Sequence, residues 1–147
     1  MSQPPITVEP ALVRCGAKAI AVIRCAASLD AAALSDAVAG LQGDADSVAL
    51  LEPGEPGTTV ASLAIHPTPV ATAAPITDAL KRVAADRITG TVDRTSVARA
   101  GLPMLLSVDS LMARLATLGQ AAVPAGALLD PRDRVALVDR SELTDPG

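Results

Sequence analysis

No phenylalanine, tryptophan or tyrosine occurs anywhere in the 147 residues, and this absence narrows the folding options more than any other feature of the chain. A core without rings must be built from small aliphatic groups, chiefly Ala, Val and Leu. Burial stabilises in proportion to apolar area, roughly 25 cal/mol per Å², and rings are the largest single sources of that area. Each buried position therefore contributes less than usual, so the sequence predicts modest stability or stability gained through a dimer. Hydrophobic residues nevertheless make up 50% of the chain and charged residues 19%, a balance that buries a core rather than leaving the chain disordered. The length fits one domain.

The same absence bears on function. There is no ring on which to stack a base, to cage a cation or to stud a groove for single-stranded nucleic acid. Lys and Arg total 12 against 16 for Asp and Glu, giving a net charge of −4. A chain with that balance lacks the positive field that draws proteins onto DNA or RNA, so nucleic acid is not expected as a partner. Met1-Ser2-Gln3-Pro4-Pro5 has neither the basic start nor the apolar stretch of a secretory signal, which predicts a cytoplasmic protein. The prolines of residues 56–77, an almost uncharged stretch, exclude a spanning helix, so no membrane is expected. Cys15 and Cys25 match neither a redox pair nor half of a zinc site and read as reduced thiols.

Along the chain, residues 1–10 read as a flexible N-terminal arm, residues 11–138 as a single α/β domain and residues 139–147 as a polar tail. Ala17 to Ile23 is a nearly continuous apolar run of the kind that forms a buried strand. Ser28 is a candidate N-cap for a helix carrying Leu34, Val38 and Leu41, and Ser47 to Leu51 is a second apolar run. Strand, helix and strand make a βαβ unit in a parallel sheet. Glu52-Pro53-Gly54-Glu55-Pro56-Gly57 repeats a turn signal and marks a surface loop. Thr58 to Ile65 and Val70 to Ile76 both read as extended chain. Ser107 caps a helix whose apolar face is Val108, Leu111, Met112, Leu115 and Leu118, closed by Gly119. Gln120 to Val123 and Arg134 to Val138 read as short strands.

Most catalytic constellations fail on inspection. One histidine, His66, cannot form a His-based metal site, and it stands where a structural role is the simpler reading. No G-x-S-x-G elbow, Walker A loop or G-x-G-x-x-G fingerprint is present. The carboxylates of Asp130-Pro131-Arg132-Asp133 are better explained as turn and ion-pair residues than as an acid and base. No catalytic residue and no metal ligand is assigned. The one basic stretch lies between Asp78 and Arg99, where Lys81, Arg82, Arg87, Arg94 and Arg99 face Asp78, Asp86 and Asp93.

That stretch also carries a resemblance. Ala74-Pro75-Ile76-Thr77-Asp78-Ala79-Leu80-Lys81-Arg82-Val83, then Gly90-Thr91-Val92-Asp93-Arg94, then Gly101-Leu102-Pro103-Met104 resemble, in order and spacing, the C-terminal half of the 2-C-methyl-D-erythritol 4-phosphate cytidylyltransferases of isoprenoid precursor biosynthesis. The likeness runs from about Val70 to about Leu118. It implies a Rossmann-like, nucleotidyltransferase-type mixed sheet with helices on its faces and an extended β-arm over about residues 75–92, exchanged between the subunits of a homodimer. Thr77, Asp78, Thr91 and Asp93 then belong to the dimer arm, and Arg94 occupies the place of the family's arginine that reaches a substrate phosphate. Lys81 and Arg82 are the further candidates for holding phosphate. A guanidinium offers a bidentate fork to phosphate oxygens, although Arg94 could equally pair with Asp93 or Asp78.

Departures from the family are numerous. Nothing between Met1 and Asp46 supplies the family's glycine-rich loop, whose amides and basic residues cradle the CTP triphosphate. The family's metal-binding aspartate has no clear counterpart, its D-T pair becomes Asp78-Ala79, and its T-P-Q becomes Leu102-Pro103-Met104 in what reads as a substrate-facing turn. Losing those contacts removes the electrostatic stabilisation on which phosphoryl transfer depends. The expectation is therefore a degenerate, non-catalytic relative acting as a dimeric binding or scaffolding domain, without a cofactor. One alternative is an active nucleotidyltransferase using CTP and Mg²⁺ and completed by a partner protein. The other is an interaction module with only fold-level similarity.

Overall fold

The computed structural model describes residues 6–41, 43–75, 80–84, 87–92, 98–120, 122–130, 134–139 and 143, with backbone alone between residues 74 and 99. The apolar run near the N-terminus forms β3 (Lys18–Arg24), flanked on one edge by the short antiparallel strands β1 (Thr7–Val8) and β2 (Val13–Cys15). After the brief strand β4 (Ser28–Asp30), helix α1 (Ala31–Ala39) leads to β5 (Ser47–Leu51), which pairs in parallel with β3. The βαβ unit read from the sequence is thus present.

The chain continues through helix α2 (Thr59–Ala64), β6 (Val70–Pro75), the hairpin β7 (Leu80–Ala84) and β8 (Arg87–Val92), the long strand β9 (Ala98–Ser107) and helix α3 (Val108–Leu118). It ends with β10 (Ala122–Pro124), a 3₁₀ turn (Ala125–Leu128) and β11 (Ala136–Asp139). Among the described residues the main sheet has seven strands in the order β1-β3-β5-β9-β6-β11, with β2 also on β3. Because β9 is antiparallel to both β5 and β6, strands β3, β5, β6 and β11 all point the same way. Their C-terminal ends make one edge of the domain. In open α/β sheets ligands bind along that edge.

Two aliphatic cores sandwich the sheet. On one face α1 contributes Leu34 and Val38, and α3 contributes Leu111 and Leu115, against Ile23, Val48, Leu50, Met104 and Leu106. On the other, Val60 and Leu63 of α2 cover Ile20, Val22, Leu51 and Leu105. Every large side chain in both clusters is Ile, Leu, Val or Met, as a chain without rings requires. Two stretches read as polar ends also touch the fold: Thr7–Val8 pairs with β3, and Leu143 is buried in the second cluster.

Local readings needed correction at three places. Residues 58–65 are not extended, because Thr59, Val60 and Leu63 are the buried positions of helix α2. Burial on one side at near-helical spacing outweighed their β-branched composition. Helix α1 is capped by Asp30, whose carboxylate accepts from the Ala32 amide at 2.9 Å, while Ser28 belongs to β4. The segment Leu102-Pro103-Met104 is not a substrate-facing turn; it lies inside β9. The Ser107 cap and the α3 face are as read: the Ser107 hydroxyl accepts from the Ser110 amide at 3.1 Å.

Strand β9 carries a defect at that same segment. Ala71 pairs with Met104 but Thr72 pairs with Gly101, so Leu102 and Pro103 are extra residues with no partner on β6. The bulge leaves the Pro103 carbonyl outside the ladder, and the buried Thr72 hydroxyl donates to it at 2.7 Å. Replacing Thr72 with Val keeps the shape and removes the donor. This substitution is expected to lower unfolding free energy by about 1–3 kcal/mol in urea titration, the cost of an unsatisfied buried carbonyl.

Candidate functional site

The edge formed by the C-terminal ends of the parallel strands includes the connection that follows β3. Three residues, Cys25 to Ala27, link β3 to β4. Their backbone is already committed, because the Cys25 amide donates to the Leu51 carbonyl at 2.9 Å and the Ala27 carbonyl accepts from the Ala125 amide at 2.7 Å. Strand β4 is in turn paired with β10, which fixes the connection against the C-terminal third of the chain. So short a link cannot form the glycine-rich loop whose successive free amides wrap a triphosphate.

At the end of β3 the described cation is Arg24. The sequence has no Lys or Arg between Arg24 and Lys81. Arg24 stands at the end of β3, and its guanidinium bonds to its own chain through two of its three nitrogens. Its Nε donates to the Glu9 carboxylate at 2.7 Å, and one terminal nitrogen donates to the carbonyls of Glu52 at 3.2 Å and Glu55 at 2.7 Å. The doubled Glu-Pro-Gly segment thus wraps around Arg24, and the same side chain fastens the strand at Glu9 to that loop. The sequence reading did not single out Arg24; its isolation as the last cation before a 56-residue gap was the available signal.

Behind the edge, the positions that replace polar residues of the resembled family have become core. Leu102 is 8% exposed and Met104 is fully buried, and both pack in one cluster with Cys25, Leu29, Val123 and Ala125. Leu102 and Met104 therefore face inward and do not line a substrate-facing turn. Burial, and to a smaller extent the neighbouring Glu52 charge, pushes the Cys25 thiol from 9.0 up to about 11. A thiol so placed stays protonated and unreactive at neutral pH.

A cleft of about 540 Å³ remains outside this plug, between Ala27 and Ser28 on one side, Ala100 and Gly101 on another, and residues 124–127 on the third. Its wall is pinned in two further ways. Arg114 of α3 donates from Nε to the Ala127 carbonyl at 2.9 Å. Gly126 lies so close to β9 that a Cβ there would meet the Ala100 carbonyl oxygen at 2.8 Å. Among the described residues no group of three or more His, Cys, Asp or Glu side chains is placed to hold a metal, and no helix is long and apolar enough to cross a membrane.

Of the phosphate candidates, Lys81 and Arg82 lie on β7, at register positions opposite Thr91 and Gly90 of β8. Arg94, with the arm candidates Thr77, Asp78 and Asp93, lies outside the described residues. The β7–β8 hairpin forms its own two-stranded sheet, and among the described residues no strand of the main sheet pairs with it.

Two outcomes are expected from this geometry. Gly126→Ala forces the 3₁₀ turn away from β9, so its melting temperature should fall by several degrees, as roughly 1–3 kcal/mol of overpacking does. The Cys25 thiol has a higher pKa folded than unfolded, so its contribution to stability is complete below about pH 9 and is lost as pH rises towards 11. Denaturation midpoints measured across pH 8–11 should decline over that window, and Cys25→Ser should flatten the decline.

No protein-family model and no curated protein sequence matches the chain. Solved structures do match it. A crystallised 4-diphosphocytidyl-2C-methyl-D-erythritol synthase aligns at 25% identity and a TM-score of 0.53, covering 80% of this chain and 61% of that one. The synthase of Anaerococcus prevotii aligns at 15% identity and 0.55, covering 77% and 62%. The 2-C-methyl-D-erythritol 4-phosphate cytidylyltransferase of Thermus thermophilus aligns at 17% identity and 0.52, covering 79% and 63%. The likeness extends well beyond residues 70–118, where the sequence motifs lie, yet this chain spans only about three fifths of the length of those proteins. Its α/β fold is that of the 2-C-methyl-D-erythritol 4-phosphate cytidylyltransferases.

Proposed function

We propose that this chain is a cytidylyltransferase-like domain that has given up catalysis and acts as a dimeric binding or scaffolding protein. The observation that carries the reading is the three-residue connection from β3 to β4, with its amide at Cys25 and carbonyl at Ala27 already bonded within the fold. Nucleotidyl transfer needs donors aimed at the charge that develops on the phosphates. Here the described cation nearest the end of β3 is spent on Glu9 and the Glu-Pro-Gly loop, and the adjoining volume is filled by Leu102 and Met104.

The dimer half of the proposal is supported by the β7–β8 hairpin. A two-stranded hairpin alone is marginal in water, so a second subunit would provide the surface that this one lacks. An arm of that kind would carry Thr77, Asp78, Thr91 and Asp93 into the interface and bring Arg94, with Lys81 and Arg82, to the neighbouring subunit as phosphate ligands. Neither CTP nor Mg²⁺ is required for this role.

Calorimetry on the whole chain with CTP and Mg²⁺ is expected to give no binding heat, and light scattering to give a dimer. Micromolar CTP affinity or release of pyrophosphate would restore the enzyme reading. A strict monomer at high concentration would remove the arm exchange. Inorganic phosphate affinity that is unchanged by Arg94→Ala would remove the role given to that residue.

A further inference from the structure

The cleft beside the plugged edge has a chemistry of its own, opposite to that of a phosphate site. About 540 Å³ lies within the roughly 300–1,000 Å³ of small-molecule sites. None of its described lining residues carries a charge: they are Ala, Gly, Ser and Pro. The nearby guanidinium of Arg114 is turned onto the Ala127 carbonyl, and Arg24 is held by Glu9 and the loop carbonyls. An anion entering would lose its water with no cation among the described side chains to replace it.

The walls are also fixed in place, which distinguishes the cleft from a loose surface dent. Ala27 is tied to Ala125 through the backbone, β4 to β10 through their ladder, the 3₁₀ turn to α3 through Arg114, and Gly126 is seated against Ala100. Walls made of Ala and Gly leave space where longer side chains would fill it. Preorganised apolar walls favour a ligand because little ordering cost is incurred on binding.

We infer that this cleft is a binding site for a small uncharged organic molecule with a compact apolar body, held by shape against residues 124–127 and by the Ser28 hydroxyl. The inference rests on the proposal that the edge no longer receives a nucleotide, and it names the ligand class that takes its place. The site sits where the fold exposes the ends of β3 and the start of β9, so occupancy would bridge the N-terminal and C-terminal parts of the sheet and stabilise the fold.

Paired probes with one ring system test the charge preference directly. Saturation-transfer NMR and calorimetry on the full chain with 1-naphthol and 1-naphthyl phosphate should show the neutral probe binding at least tenfold more tightly. Ala27→Leu, at an exposed position on the cleft wall, should weaken naphthol at least tenfold without changing the melting temperature of the free protein. Ala27→Arg supplies the missing cation and should reverse the order of the two probes. Equal or tighter binding of the phosphate that is lost on Ala27→Leu, and so occurs in the cleft, overturns the inference, as does absence of naphthol binding or naphthol binding indifferent to Ala27→Leu. These failures are separate from that of the functional proposal, which CTP binding or pyrophosphate release would overturn.

Discussion

Three residues between β3 and β4 set the limits within which the rest of the domain operates. A strand that ends at Arg24 and a second that begins at Ser28 leave a link whose amide and carbonyl must serve the fold, because both are needed to join the sheet to Leu51 and Ala125. Buried backbone groups are strong, obligatory partners, and a chain that commits them locally cannot also present them to a ligand. The same commitment draws β10 and the 3₁₀ turn across the edge. Closure of the edge is therefore built into the topology and does not depend on any one side chain.

The apolar interior follows from that closure. Once β10 and the 3₁₀ turn lie over the end of the sheet, side chains beneath them leave water, and polar groups there would need partners that the small Ala-rich segments cannot offer. Leu102, Met104, Leu29, Val123 and Leu128 meet the requirement. The Leu102–Pro103 bulge is the one irregularity, and Thr72 answers it with a hydroxyl. Arg24 resolves the other charge problem, since its guanidinium organises Glu9 and the doubled Glu-Pro-Gly loop instead of facing solvent at the edge. A partly exposed ion pair of this kind adds little stability, so its effect is chiefly on loop geometry.

Absence of rings in the core has a consequence for shape as well as energy. Aliphatic side chains fill gaps of a methyl or two, and the clusters on the two faces of the sheet are built without any aromatic residue. The cleft of about 540 Å³ lies at the edge, outside both clusters, where Ala, Gly, Ser and Pro residues line it.

The sequence by itself determined the βαβ start, the Ser107-capped helix with its apolar stripe, the all-aliphatic core and the resemblance in residues 70–118, because each rests on local periodicity, capping chemistry or composition. It misassigned residues 58–65, where short-range β-branched content competed with a buried helical face that only packing against the sheet reveals. It placed Leu102 and Met104 at a surface that tertiary structure made interior, since which face of β9 is covered depends on strands and turns far away in sequence. The role of Arg24 lies at separations of 15 to 31 residues. The cleft joins segments about a hundred residues apart. Such long-range pairings are decided when the whole chain collapses, so no local pattern records them.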